Sequence, residues 1–247
     1  MNNINDSYFD GHYKDIWKTI IPDELTVKEV DFMVSDFGLK PGSNVLDLMC
    51  GYGRHALALA RKGITVTAVD NLGDYTEEII KTAVKEKLPL KVVKADVINY
   101  EANEMFDLVI CMGNSLNFFS AEDTLRLLTK ISVTLKTEGH LFINSWSIAE
   151  IIFKNYKERS WSQVGNLKFL VECKFHLHPT RIESDHIILA PDGTSEVKKG
   201  IDYIYSINEI VSLLNSAGLD FNEIYSIPGK KKFTLGEPRA YIIAGKK

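Results

Sequence analysis

Three acidic residues stand where apolar runs break off, and the first of them leads into a glycine loop. Residues 45–53 read Val-Leu-Asp-Leu-Met-Cys-Gly-Tyr-Gly: an apolar strand with a carboxylate, Asp47, near its tip, then Met49, Cys50, Gly51 and Gly53. Arg54, His55 and Ala56 follow, and an apolar stretch runs on to Gly63, a natural helix end. Glycines let the backbone come close to a ligand, and a helix start offers it unpaired N–H groups. A second apolar run, 64–69, ends in Asp70, at the spacing of a carboxylate that chelates ribose hydroxyls. A third, 92–97, reads Val-Val-Lys-Ala-Asp-Val and supplies Asp96. Strand, glycine turn and helix in this order predict a nucleotide-containing cofactor.

Read as G-x-G-x-x-A, the loop also fits a dinucleotide fingerprint, so NAD and FAD compete with S-adenosylmethionine. Asp47 argues against the dinucleotides, because a carboxylate at the strand tip would face a pyrophosphate across a poorly solvated crevice. The sulfonium and ammonium of S-adenosylmethionine would be attracted there. The loop also begins well into the chain, behind a helical segment, whereas many dinucleotide domains open with it.

These residues resemble the class I S-adenosylmethionine-dependent methyltransferases, a seven-stranded Rossmann-like family, and the resemblance runs from Tyr13 to the C-terminus. It implies that Asp47, Gly51 and Gly53 hold the methionyl part of the cofactor, with Met49, Cys50 and Arg54 as further cofactor-binding candidates. It likewise implies that Asp70 holds the ribose and that Asp96 faces the adenine amino group, with Asn71, Leu72, Ala95 and Val97 beside them as cofactor-binding candidates. Cys111 and Met112 lead into Gly113-Asn114-Ser115-Leu116-Asn117, the segment that in the family borders the transferable methyl, so Asn114, Ser115 and Asn117 are the first candidates for the reacting centre. Met49 departs from the family, which has a small residue there; a flexible methionine can point into the core while its backbone keeps the turn.

The elements that must position these residues follow from periodicity. Alternating strands and helices predict an α/β fold: a doubly wound, mostly parallel Rossmann-like sheet, with the antiparallel last strand carried over from the resemblance. Thr26 with Glu29, and Ser206 with Glu209, fit capping boxes ahead of apolar helical faces. Residues 146–205 break the rhythm, with strand alternation and turn signals at Gly165-Asn166, Pro179-Thr180 and Pro191-Asp192-Gly193. The expected organisation is therefore 1–145, a helical cover and the cofactor-binding part; 146–205, a small antiparallel β insertion serving as an acceptor lid; and 206–247, the last helix and closing strands.

Composition bounds the function. The chain has 247 residues, 45% hydrophobic and 25% charged, with a net charge of −4, which is globular and gives no general attraction to nucleic acid. Cys50, Cys111 and Cys173 have no paired spacing and read as reduced packing thiols, so a cytoplasmic protein is expected, with no secretory or membrane-spanning segment.

Methyl transfer from a sulfonium is an in-line displacement that rests on positioning and water exclusion, so a general base is optional. His176 and His178 share one strand face in the insertion and are candidate bases; no third ligand accompanies them, and no metal is expected. Phe9, Tyr13 and Trp17 recur every four residues, an aromatic stripe that packs the core or, with Tyr13 and Trp17, covers the cofactor. The peripheral features resemble small-molecule methyltransferases, among them those that N-methylate amino sugars. The expected reaction is transfer to an amine or hydroxyl of a small metabolite, leaving S-adenosylhomocysteine. Methylation of a peptide or RNA, a non-catalytic cofactor-binding module and an NAD-dependent oxidoreductase are the alternatives. Oligomeric state, monomer or homodimer, stays open.

Overall fold

The computed structural model describes residues 3–246. A 3-10 turn, Ile4–Ser7, precedes helices α1 (Tyr13–Ile20) and α2 (Asp23–Asp36). Strands and helices then alternate: β1 (Asn44–Leu48), α3 (Arg54–Arg61), β2 (Thr65–Asp70), α4 (Gly73–Glu86), β3 (Leu90–Lys94), β4 (Phe106–Cys111), α5 (Ala121–Thr134) and β5 (Leu135–Ser145). A short helix, α6 (Ala149–Asn155), leads into β6 (Arg159–Val164), β7 (Leu167–Leu177), β8 (Thr180–Leu189) and β9 (Ser195–Tyr203). The chain closes with α7 (Ile207–Ser216), β10 (Leu219–Ile227), β11 (Lys231–Lys232) and β12 (Ala240–Lys246).

Two sheets result, one ordered β11-β10-β12-β5-β4-β1-β2-β3 and the other β6-β7-β8-β9. β1 pairs in parallel with β2 on one side and β4 on the other, so winding reverses between β3 and β4 and opens a crevice at the strand ends. β12 lies antiparallel between β5 and β10. The expected doubly wound sheet with an antiparallel last strand is thus observed, with two-residue β11 as an extra edge. Each turn signal of the insertion falls between two strands of the second sheet, as its antiparallel pairings require.

Both faces of the main sheet are covered, which is why its strands are apolar on successive residues rather than alternate ones. Along β4, Val109 and Cys111 face α5 and α7, whereas Leu108 and Ile110 face α2 and α3, and all four are fully buried. Phe142 of β5 stacks on Tyr241 at 5.7 Å and meets Phe32 and Phe37 edge-on or tilted, tying α2 to the sheet centre.

The Ser206–Glu209 capping box forms as expected. The Thr26–Glu29 pattern does not: α2 begins one turn earlier, at Asp23 behind Pro22, and Thr26 and Glu29 lie buried within it. Their side chains have partners in other elements, so the local spacing gave the wrong helix start.

The N-terminal segment docks on the second sheet as well as on α1. Asn5 pairs with the Ile201 backbone like a strand residue, accepting at 2.9 Å and donating at 3.0 Å. Tyr13 donates to the Tyr8 hydroxyl at 3.0 Å, and Tyr8 in turn reaches His186 of β8. Burial pushes His186 down to about 4, so it meets Tyr8 as a neutral ring. Among the described residues no helix is long and apolar enough to cross a membrane.

Phe142→Ala removes the ring on which α2, β5 and β12 converge. A loss of about 3–5 kcal/mol is expected in urea unfolding.

Candidate functional site

A crevice of about 580 Å³ opens at the C-terminal ends of β1, β2 and β4, and the N-terminal segment crosses it. Asp47 comes up from β1 into its wall and is 1% exposed, with Oδ2 lacking any hydrogen-bond partner. Burial, reinforced by the charge of Asp70 and opposed by that of Arg54, raises its pKa to about 7. Asp70 at the end of β2 accepts from Gly51 N at 2.8 Å and Leu72 N at 3.0 Å; burial outweighs these bonds and raises it to about 6.

The loop between β1 and α3 takes left-handed backbone at Met49, Gly51 and Gly53. A Cβ on Gly51 would meet nothing within 4 Å, so this glycine leaves open space at the crevice wall. At Gly53 a Cβ would strike Ile79 of α4 at 2.7 Å, so its closeness is to a helix and not to a ligand. Met49 adopts a conformation that disfavours side chains, while the side chain itself packs partly buried against the core.

Arg54 lines the crevice and Glu29 anchors it from behind. Arg54 Nη1 donates to Glu29 Oε2 at 2.6 Å and to Thr26 Oγ1 at 2.9 Å. His55 Nε2 meets the same Glu29 oxygen at 2.9 Å, and Tyr241 donates to Oε1 at 2.6 Å. Burial opposes ionisation of Glu29, but hydrogen bonding from His55 and the Arg54 charge outweigh it and hold the carboxyl at about 2.

Of the expected cofactor residues, Trp17, Asp47, Met49, Cys50, Gly51, Arg54, Asp70, Asn71, Leu72, Asp96, Val97 and Met112 line the crevice. Asp96 is exposed and shapes its own turn, accepting from Ile98 N at 2.9 Å and Asn99 Nδ2 at 2.6 Å. Gly53, Tyr13, Ala95 and Cys111 lie outside the wall. Tyr13 turns into the apolar contact with Val164 and Ile188, Ala95 packs on the sheet, and Cys111 faces the α5 side. Burial pushes the Cys50 thiol well up and Cys111 up to about 12, consistent with packing rather than nucleophilic roles.

The expected reacting residues divide in the same way. Ser115 lines the crevice, its hydroxyl donating to Met112 O at 2.8 Å. Asn114 and Asn117 do not; they form the joint between the two sheets. Asn114 Oδ1 accepts from Trp146 N at 3.0 Å and Ser147 N at 2.9 Å, and Nδ2 donates to Asp202 of β9 at 2.7 Å. Asn117 donates to Tyr203 O at 2.8 Å. His176 and His178 do not line the crevice. His176 pairs with Glu183 on the neighbouring strand at 3.3 Å, and His178 is exposed at the β7–β8 turn.

Several wall residues escaped the sequence reading. Trp146 follows β5 directly and stacks on Trp17 at 5.5 Å, and its place at a strand's C-terminal end was the available signal. Tyr52 sits between the two loop glycines. Asp6 accepts from Asn71 at 2.9 Å, and nothing in its local sequence marks it.

A family model described as a methyltransferase domain matches residues 45–139. Glycine/sarcosine N-methyltransferase of Halorhodospira halochloris is 24% identical over 63% of this chain and 59% of its own length. Carboxy-S-adenosyl-L-methionine synthase of Vibrio campbellii is 28% identical over 61% of this chain and 64% of its own. The chain thus spans less than two thirds of these relatives. The CcbJ methyltransferase of Streptomyces caelestis superposes with a TM-score of 0.84 at 16% identity, covering 98% of both chains. Residues 45–139 therefore match a methyltransferase domain model, and the chain as a whole has the class I methyltransferase fold.

Proposed function

We propose that the protein is an S-adenosylmethionine-dependent methyltransferase acting on a small molecule, with an amine as the first acceptor candidate and a hydroxyl as the second. The observation that carries this reading is Asp47, a buried carboxylate with an unpartnered oxygen at the crevice wall. A cationic ligand relieves that burial; a pyrophosphate would aggravate it. The N-methyltransferase among the relatives supports the amine.

The residues fit the cofactor piece by piece. Asp47 would accept from its amino group and Arg54 would face its carboxylate, so that a zwitterion meets one charge of each sign. Asp70 would take the ribose hydroxyls, while Asn71, Leu72, Asp96 and Val97 would border the adenine. Bound there, the cofactor supplies a sulfonium methyl open to in-line displacement. Trp17 and Trp146 would offer the acceptor an apolar face and keep water from the transfer line, with Met112 and Ser115 alongside. Residues 146–205 would act as the acceptor lid between the cofactor-binding part, 1–145, and the closing elements, 206–247.

Calorimetric titration with S-adenosylmethionine, S-adenosylhomocysteine and NAD tests the cofactor. The first two are expected to bind, with Asp70→Ala weakening them by about tenfold or more; binding of NAD alone would return the loop to the dehydrogenases. Labelled cofactor is then expected to mark amines in a metabolite panel, and label confined to protein or RNA would count against the small-molecule acceptor.

The raised carboxylates give a pH dependence whose sign is fixed. The ligand's positive charge favours ionised Asp47 and Asp70, so affinity for S-adenosylmethionine should rise from pH 5 to pH 8 and level off above about 7. The same raised values mean that the empty protein loses stability as pH climbs from the ordinary carboxylate range through about 6 and 7. Asp47→Asn should flatten that loss in thermal melts while weakening the ligand; a variant melt that tracks the wild type at every pH would contradict the assignment.

A further inference from the structure

Glu29 has no place in the chemistry derived so far, yet it is 1% exposed and gathers three side chains from two elements other than its own. A buried ion on α2, bonded to the first two residues of α3 and to Tyr241 of β12, is costly unless fully paired, and here it is. Both acceptors on the α2 side, Glu29 Oε2 and Thr26 Oγ1, take the same guanidinium nitrogen, Arg54 Nη1. Nε and Nη2 make no hydrogen bond to another described residue, and the side chain, 12% exposed, lines the crevice. A guanidinium is a rigid planar fork, so fixing one nitrogen fixes the direction of the others.

We propose that Glu29 is a positioning residue: by holding Arg54 through Nη1 it presents the guanidinium's free edge to a carboxylate on the ligand. His55 and Tyr241 keep Glu29 itself in place. His55, lowered by burial, meets the carboxylate as a neutral ring donating from Nε2. This inference rests on the cofactor reading above, since it concerns the amino-acid end of that ligand. It gives the crevice two recognition zones, a nucleoside zone independent of α2 and an amino-acid zone that depends on it.

The two zones can be titrated separately, because methylthioadenosine carries the nucleoside without the amino-acid end and S-adenosylhomocysteine carries both. Glu29→Gln keeps the shape and removes the charge. It is expected to weaken S-adenosylhomocysteine by about tenfold and to leave methylthioadenosine within about twofold. Thr26→Val, a milder loss on the same nitrogen, should shift the ratio the same way by about threefold, and stands in if Glu29→Gln does not fold. Tyr241→Phe removes one of the bonds that hold Glu29 and should move the ratio in the same direction, by less than Glu29→Gln. Equal loss of both ligands, or no change in the ratio, reduces Glu29 to a structural ion and overturns the proposal while leaving the cofactor reading intact. A wild-type protein that binds neither compound removes the cofactor reading, and this one with it.

Discussion

A carboxylate carried to the middle of a parallel sheet is the constraint on which the site depends. β1 is covered on both faces, so Asp47 cannot reach bulk water, and its neighbours must supply or withhold charge in a poorly polarisable surrounding. Asp70 lies close enough to raise it, Arg54 close enough to lower it, and Glu29 fixes where Arg54 stands. The layers form a sequence of dependence: the strand tip needs the guanidinium, the guanidinium needs Glu29, and Glu29 needs a ring from β12. At the innermost layer Asp47 Oδ2 has no hydrogen-bond partner among the described residues.

The roof of the crevice has a separate physical basis. Asn114 and Asn117 bond across from the β4 loop to the end of β5 and to β9, so the second sheet is locked at two amides that bridge between chain segments. Asn114 is held in left-handed backbone, a conformation asparagine tolerates better than most residues. The N-terminal segment then joins the second sheet through Asn5 and Tyr8 and crosses above the glycine loop, so that roof and floor of the crevice come from opposite ends of the topology.

Local signals carried the floor of the site into the sequence, and long-range contacts hid the rest. Asp47, the glycines and Asp70 sit within one strand-turn-helix-strand unit, where spacing alone puts them near one another. Glu29 was masked by its own neighbourhood: Thr26-x-x-Glu29 has the spacing of a helix cap, while the partners that use it lie 25, 26 and 212 positions away. The candidates Asn114 and Asn117 sit beside the crevice, yet their amides are consumed by the joint, a fact set by Asp202 and Tyr203 far along the chain. His176 and His178 shared a face in the alternation, but a face says nothing about which sheet edge it looks toward. Tyr13 stays in ring contact with Trp17 at 6.0 Å, but only Trp17 of the two lines the crevice.

The slot that β12 occupies also orders the assembly of the molecule in time. The second sheet is a meander of adjacent hairpins and needs only nearby residues. β5 pairs on its outer side with β12 alone, through contacts such as Ser145 with Ala240. On a ribosome, therefore, the outer edge of β5 stays unpaired until the last strand emerges, and Glu29 waits just as long for Tyr241. Until then the half-made sheet presents a bare strand edge and an under-solvated ion together, a state most exposed to mispairing with another chain.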